Sequence, residues 1–223
     1  MSETKSEPLI YIMGDSISVH YGTYLEAYTK GQFHVMRRSG DTVAKTNLDI
    51  PQGSNTGDST RLLEYVQARL KLADLRPDLL VMNCGLHDIK RDVKTQRLQV
   101  PLETYASNLE QVLTVARSHH IEVAWVRTTH CVDAIHNGMH APADFRRLAA
   151  DNEKYNQAAD QVMQSGGVSM IDLNGFTRNL GSDEELFCDH VHFKENIRQL
   201  QAAFIAGWLS LWIQHRACSH KGV

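Results

Sequence analysis

Five short apolar runs, each followed by apolar residues at helical spacing, constrain this chain more than any other feature. The runs fall at residues 9–13, 33–36, 78–84, 121–126 and 168–173. The helical stripes between and after them are Val19, Tyr24, Leu25 and Tyr28, then Leu62, Leu63, Val66 and Leu70, then Leu102, Ala106, Leu109, Leu113 and Ala116. Phe145, Leu148, Tyr155, Ala159 and Val162 predict a fourth helix, and Phe193, Ile197, Leu200, Phe204, Trp208 and Leu211 a last one that packs on the sheet. No repeat or linker interrupts the alternation. The pattern calls for one doubly wound α/β domain with a parallel sheet over residues 1–223, the polar first eight residues being a flexible tail. Such sheets bind ligands outside the carboxyl ends of their strands. Chemistry is therefore to be sought at residues 14–16, 37–58, 85–88, 128–142 and on the approach to His192.

Composition narrows the partners. A net charge of −3 with scattered Lys and Arg gives no basic stripe, which points away from nucleic acid. No apolar run reaches membrane-spanning length, and residues 1–8 lack the apolar centre of a secretion signal. A cytoplasmic protein without a membrane partner is expected. Cys84, Cys131, Cys188 and Cys218 form no C-x-x-C pair, so free thiols are expected, without a disulfide framework or zinc knuckle. Twelve histidines raise the question of metal binding.

Three residue types in the expected places suggest acyl transfer. That chemistry needs a nucleophile, a base, a group fixing the base's tautomer, and donors for the developing oxyanion. Ser16 follows the first strand in Gly14-Asp15-Ser16. Asp189 and His192, three apart, can share one side of a turn, with a ring nitrogen left to face Ser16. Asp15 and Asp88 are rival carboxylates, and His190 is a rival base that the two-residue spacing points elsewhere. Trp125 reads as core. Arg127 lies at a strand's carboxyl end within reach of a pocket, and His130, His136 and His140 read as loop or pocket-wall residues.

Gly14-Asp15-Ser16, a later Gly-Asp-Ser loop, the Gly85-Leu86-His87-Asp88 motif and Asp189-x-x-His192 together resemble the SGNH (GDSL-type) hydrolase superfamily. The resemblance implies a flavodoxin-like three-layer α/β/α sandwich with a five-stranded parallel sheet, and a metal-free, cofactor-free Ser-His-Asp esterase. It implies Ser16 as nucleophile, Asp189 and His192 as its partners, and the Ser16 backbone N–H as one oxyanion donor. The oxyanion glycine is expected at Gly57 in Asn55-Thr56-Gly57-Asp58-Ser59, with Gly40 as the alternative. His87 stands where the family usually has an asparagine donor; a neutral imidazole still offers one N–H. Asp15, Asp88 and Arg127 are expected to touch the small-molecule ester substrate. The polar loops favour short acyl groups, acetyl first, on a polar alcohol such as a sugar, with lysophospholipid or thioester cleavage as alternatives on the same triad.

Two readings from other classes compete. Gly85-Leu86-His87-Asp88 and His190-Val191-His192 also resemble motifs of calcineurin-like metallophosphoesterases, although the early Asp-x-His of those enzymes is absent from residues 9–18. A non-catalytic binding protein on the same fold is the other.

Overall fold

The computed structural model describes residues 7–72, 75–138 and 142–219. In chain order the elements are β1 (Leu9–Met13), α1 (Ser16–Thr29), β2 (His34–Arg37), α2 (Asp41–Ala44), α3 (Ser59–Leu70), β3 (Leu79–Met82), β4 (Arg91–Asp92) and α4 (Leu102–Ser118). They continue with β5 (Glu122–Val126), α5 (Asp133–His136), β6 (Phe145–Arg146), α6 (Ala149–Ser165), β7 (Ser169–Ile171), α7 (Leu173–Arg178), α8 (Asp183–Leu186) and α9 (Glu195–Ser219).

Strands covered on both faces by helices must be apolar throughout, not alternating. Ile10 to Met13 and Leu79 to Met82 are accordingly buried without a break. The sheet is parallel in the order β2-β1-β3-β5-β7. It is the five-stranded α/β sandwich expected from the sequence, with α1 against α9 and a row of α3, α4 and α6. Met13 pairs with Met82, and Met82 with Trp125, so three strands end at one level. The chain moves outward in opposite directions from β1 to β2 and from β1 to β3. Ser16 leaves the sheet beside that switch point, where ligand crevices form.

Four expectations need correction. The fourth helix begins at Ala149, because Leu148 is extended (φ −115°, ψ 136°) and Asp133 Oδ1 accepts the Ala149 N–H from outside. Phe145 lies instead in a two-residue antiparallel ribbon, β6 against β4. The stripe on α9 is shifted: Ile197, Ala202, Ile205 and Leu209 are buried, while Leu200 and Leu211 face solvent. That helix packs chiefly on α1 and α7. Trp125 is core, as expected, and Cys84 and Cys131 are buried free thiols while Cys188 is exposed. Residues 1–6, His140 and the side chain of Cys218 lie outside the described residues.

Candidate active site

The nucleophile turn is built by close approach. A Cβ on Gly14 would overlap the buried Asn83 side chain, so glycine is what leaves room for that side chain at the end of β1. Asp15 then caps α1: its Oδ1 accepts from the Ile17 N–H (3.0 Å) and from Asn83 Nδ2 (2.9 Å). Burial raises the Asp15 pKa, and the Asn83 hydrogen bond opposes the rise. Ser16 is the first helical residue, so its N–H has no intrahelical acceptor.

Ser16 Oγ lies 2.8 Å from His192 Nε2, and His192 Nδ1 lies 2.8 Å from Asp189 Oδ2. With Nδ1–H donating to the carboxylate, Nε2 is left to accept from the serine hydroxyl. The Asp189–His192 unit folds locally. Asp189 Oδ1 accepts from the backbone N–H groups of Val191 (2.8 Å) and His192 (2.7 Å). Burial works to raise the Asp189 pKa, but the hydrogen bond and charge of His192 and the two backbone donors hold it well below the usual carboxylate range. The turn is pinched at its base, where Phe187 bridges Phe193 and their rings stack 4.8 Å apart. His130 braces it, edge-on to Phe187 and 3.3 Å from Asp183 Oδ1.

Three donors surround Ser16 in the sequence reading, and their environments differ. His87 is wholly buried, and neither ring nitrogen has a partner among the described residues. Burial, then the cations Lys90 and Arg147, push its pKa well below the ordinary value, so the ring is neutral and carries one N–H. Gly57 adopts φ +83°, and its loop is tied to the nucleophile turn by the Thr56 N–H on Gly14 O (2.9 Å). Its own N–H donates to Asn55 Oδ1 at 3.0 Å, so it serves an oxyanion only by sharing or leaving that bond. Gly40, the alternative, caps α2 at φ +105° and abuts Gly53.

The residues expected to touch substrate are engaged within the protein. Asp15 spends its carboxylate on the α1 cap and Asn83, and is fully buried. Asp88 is also fully buried, accepts from the Ser59 N–H at 2.9 Å, and is pushed by burial up to about 8. Arg127 is held by Asp160 at 3.0 Å, with Glu153 and Asp172 nearby, against α6. Each is a polar residue at a strand end used for internal support. His190 points away from Ser16, as its spacing suggested, with Nε2 2.9 Å from Asp49 Oδ2. His190 and His192 thus have both ring nitrogens engaged by protein groups, which leaves the metallophosphoesterase reading without free ligands at that motif.

Two contributors escaped the sequence reading. His20, one helical turn after Ser16, stands edge-on to the His192 ring at 5.1 Å between centroids. Burial, then the charges of His192 and Arg198, lower it to about 3 and keep it neutral. The spacing of four from Ser16 was a legible signal. The other is Arg147, which is buried and whose Nε donates to the Leu86 carbonyl at 2.6 Å, next to His87. A cavity of about 720 Å³ is lined by Asp49, Lys90, Arg97, Phe145 and His190 among others, and by none of Ser16, His87, Asp189 and His192.

A serine at a helix start, paired with a histidine and an aspartate at the carboxyl edge of a parallel sheet, has the arrangement of a serine hydrolase. The chain belongs to the GDSL-like lipase/acylhydrolase family, which it matches over residues 12–200. No curated protein matches it in sequence. Among solved structures it is similar to a lipase/acylhydrolase from Enterococcus faecalis (17% identity, 91% of this chain and 95% of that one, TM-score 0.66). It is also similar to the acetyl xylan esterase AlAXEase (15%, 91% and 98%, 0.63). A third likeness is to the psychrotrophic esterase EstA from Pseudoalteromonas sp. (12%, 93% and 100%, 0.61). At such identities the three speak for the fold. No helix among the described residues is long and apolar enough to cross a membrane.

Proposed function

We propose that this chain hydrolyses carboxylic esters through an acyl-enzyme. The observation that carries the reading is the unbroken Ser16–His192–Asp189 chain, with both contacts at 2.8 Å. Ser16 Oγ attacks the ester carbonyl while His192 Nε2 takes its proton. The tetrahedral oxyanion is received by the Ser16 N–H, the His87 ring N–H and, once freed from Asn55, the Gly57 N–H. Collapse expels the alkoxide, which takes the proton from His192, and water repeats the sequence to release the acid and restore Ser16. Asp189 holds the tautomer and stabilises the imidazolium.

The substrate reading is a short acyl group, acetyl first, on a polar alcohol such as a sugar. It is supported by the likeness to a protein described as an acetyl xylan esterase. Ser16→Ala is expected to lower turnover of p-nitrophenyl acetate by roughly 10⁶-fold, the scale of nucleophile removal in a triad. Unchanged turnover would refute the mechanism. A series of p-nitrophenyl esters of rising acyl length, beside acetylated sugars, tests the substrate; preference for long chains would favour lipid-type esters instead.

A further inference from the structure

We infer that Asp49, gripped by Arg147 and His190, is a positioning residue that locks the catalytic histidine's turn to the oxyanion loop. The inference rests on the hydrolytic reading above. Its basis is a buried network that the triad chemistry does not use.

Asp49 lies in the loop between α2 and α3. Its Oδ2 is 2.9 Å from His190 Nε2 and its Oδ1 is 3.1 Å from Arg147 Nη2. Arg147 is 1% exposed, and its Nε donates to the Leu86 carbonyl at 2.6 Å, one residue before His87. The second nitrogen of His190, Nδ1, is 2.8 Å from His136 Nδ1. Lys90 Nζ donates to the Asp49 carbonyl, and Asn55 Nδ2 donates to the adjacent Leu48 carbonyl at 2.9 Å. The Asp49 carboxylate therefore joins the turn of His190 to Arg147, which in turn holds the segment after β3 at Leu86. Ser16, after β1, meets the same assembly through His192.

The charges agree with this geometry. Burial works to raise the Asp49 pKa, but the hydrogen bond from His190 and the charges of Arg147, His190 and Lys90 hold it far below the usual range. Burial, then Arg147 and His190, lower His136 to about 3, so it is neutral. A neutral His136 can give its Nδ1–H to His190 Nδ1, which lies 2.8 Å away, while its Nε2 is buried without a partner among the described residues. Removing one partner from such a network leaves the others buried and unpaired.

The side chains are rigidly connected to both reacting groups. His190 precedes His192 by two residues in the turn that Asp189 closes, and Arg147 holds the backbone from which His87 projects. A shift of about 1 Å in either costs on the order of 10²-fold in rate. Asp49 touches no reacting atom, so its effect should appear in kcat more than in KM.

The test uses the full chain and the variants Asp49→Asn, His190→Gln and His190→Leu. Kinetics on p-nitrophenyl acetate, corrected for the fraction of sites titrated by an organophosphonate, are read beside thermal unfolding. The downfield proton resonance of His192 Nδ1–H is followed in parallel. We expect Asp49→Asn and His190→Leu to lower kcat by roughly 10–100-fold with KM within about threefold, and to shift or broaden the resonance. His190→Gln, which supplies an N–H toward Asp49, should recover much of the loss. Unchanged kcat per titrated site and an unmoved resonance in the folded variants would overturn the inference, as would loss explained entirely by a smaller titrated fraction. If wild-type protein hydrolyses no ester while the resonance still responds to Asp49→Asn, the ester reading falls and the clamp stands.

Discussion

His87 carries an unusual burden for a single side chain. It is wholly buried, neutral and without a hydrogen-bond partner among the described residues, a condition that costs about 1–3 kcal/mol. An oxyanion beside it would relieve that cost only as the transition state forms, which is how a preorganised donor accelerates a reaction. His87→Ala is expected to lower kcat for a short ester by about 10²–10³-fold. His87→Asn, offering an amide N–H, should stay within about tenfold of wild type; equal activity in both would remove His87 from the oxyanion hole. Ser16, Asp189 and His192 were legible because a strand end and a local three-residue spacing encode them. Asp15, Asp88 and Arg127, expected as substrate contacts, are engaged by partners within the protein. Their residue types suit a pocket, but Asn83, the Ser59 amide and Asp160, all remote in sequence, claim them.

At the scale of elements, the ribbon of β4 and β6 shows where periodicity fails as a guide. Phe145 and Leu148 fit a helical stripe with Tyr155, yet Phe145 is buried outside the helix against other partners. Its ring lies 5.8 Å from that of His136, and 4.5 Å separates its centroid from Lys90 Nζ. Arg147 stands over it at 4.8 Å. The five strands and the long helices were readable because each repeats a pattern over many residues. A two-residue ribbon and the one-turn helices α2, α5 and α8 are too short to leave one. Phe145→Ala is expected to cost about 3 kcal/mol, the lower end for a buried aromatic. Denaturant unfolding measures the loss, and faster amide exchange at residues 91–92 would show that the ribbon opens first. A loss below about 1 kcal/mol would mean that the ring contributes little to holding this wall.

The whole molecule hides an uncommon number of titratable groups, and their shifts set its stability against pH. His20, His87 and His136 are all lowered, so the unfolded chain takes up protons before the folded one as pH falls. Their stabilisation is complete above about 6.5 and is lost on acidification toward 3. Asp49 and Asp189, also lowered, add a loss that sets in below the ordinary carboxylate value of 3.8. Asp88 has the opposite sign: its contribution is complete below 3.8 and is lost as pH rises through about 8. Melting temperature should therefore drop from pH 6.5 to 4.5. Asp88→Asn should flatten the decline between pH 6.5 and 8, because an amide has no proton to lose; an unaltered slope would show that Asp88 is ionised throughout.

The triad's span along the chain has a consequence in time. Ser16 and His192 are 176 residues apart, and α1, which carries the serine, is covered by α9, the helix that follows His192 in the chain. Synthesis at about 5–20 residues per second separates the two residues by roughly 10–35 s. Throughout that interval Ser16 lacks the histidine it pairs with. Any reactivity that depends on the pair waits until the two segments that carry them meet.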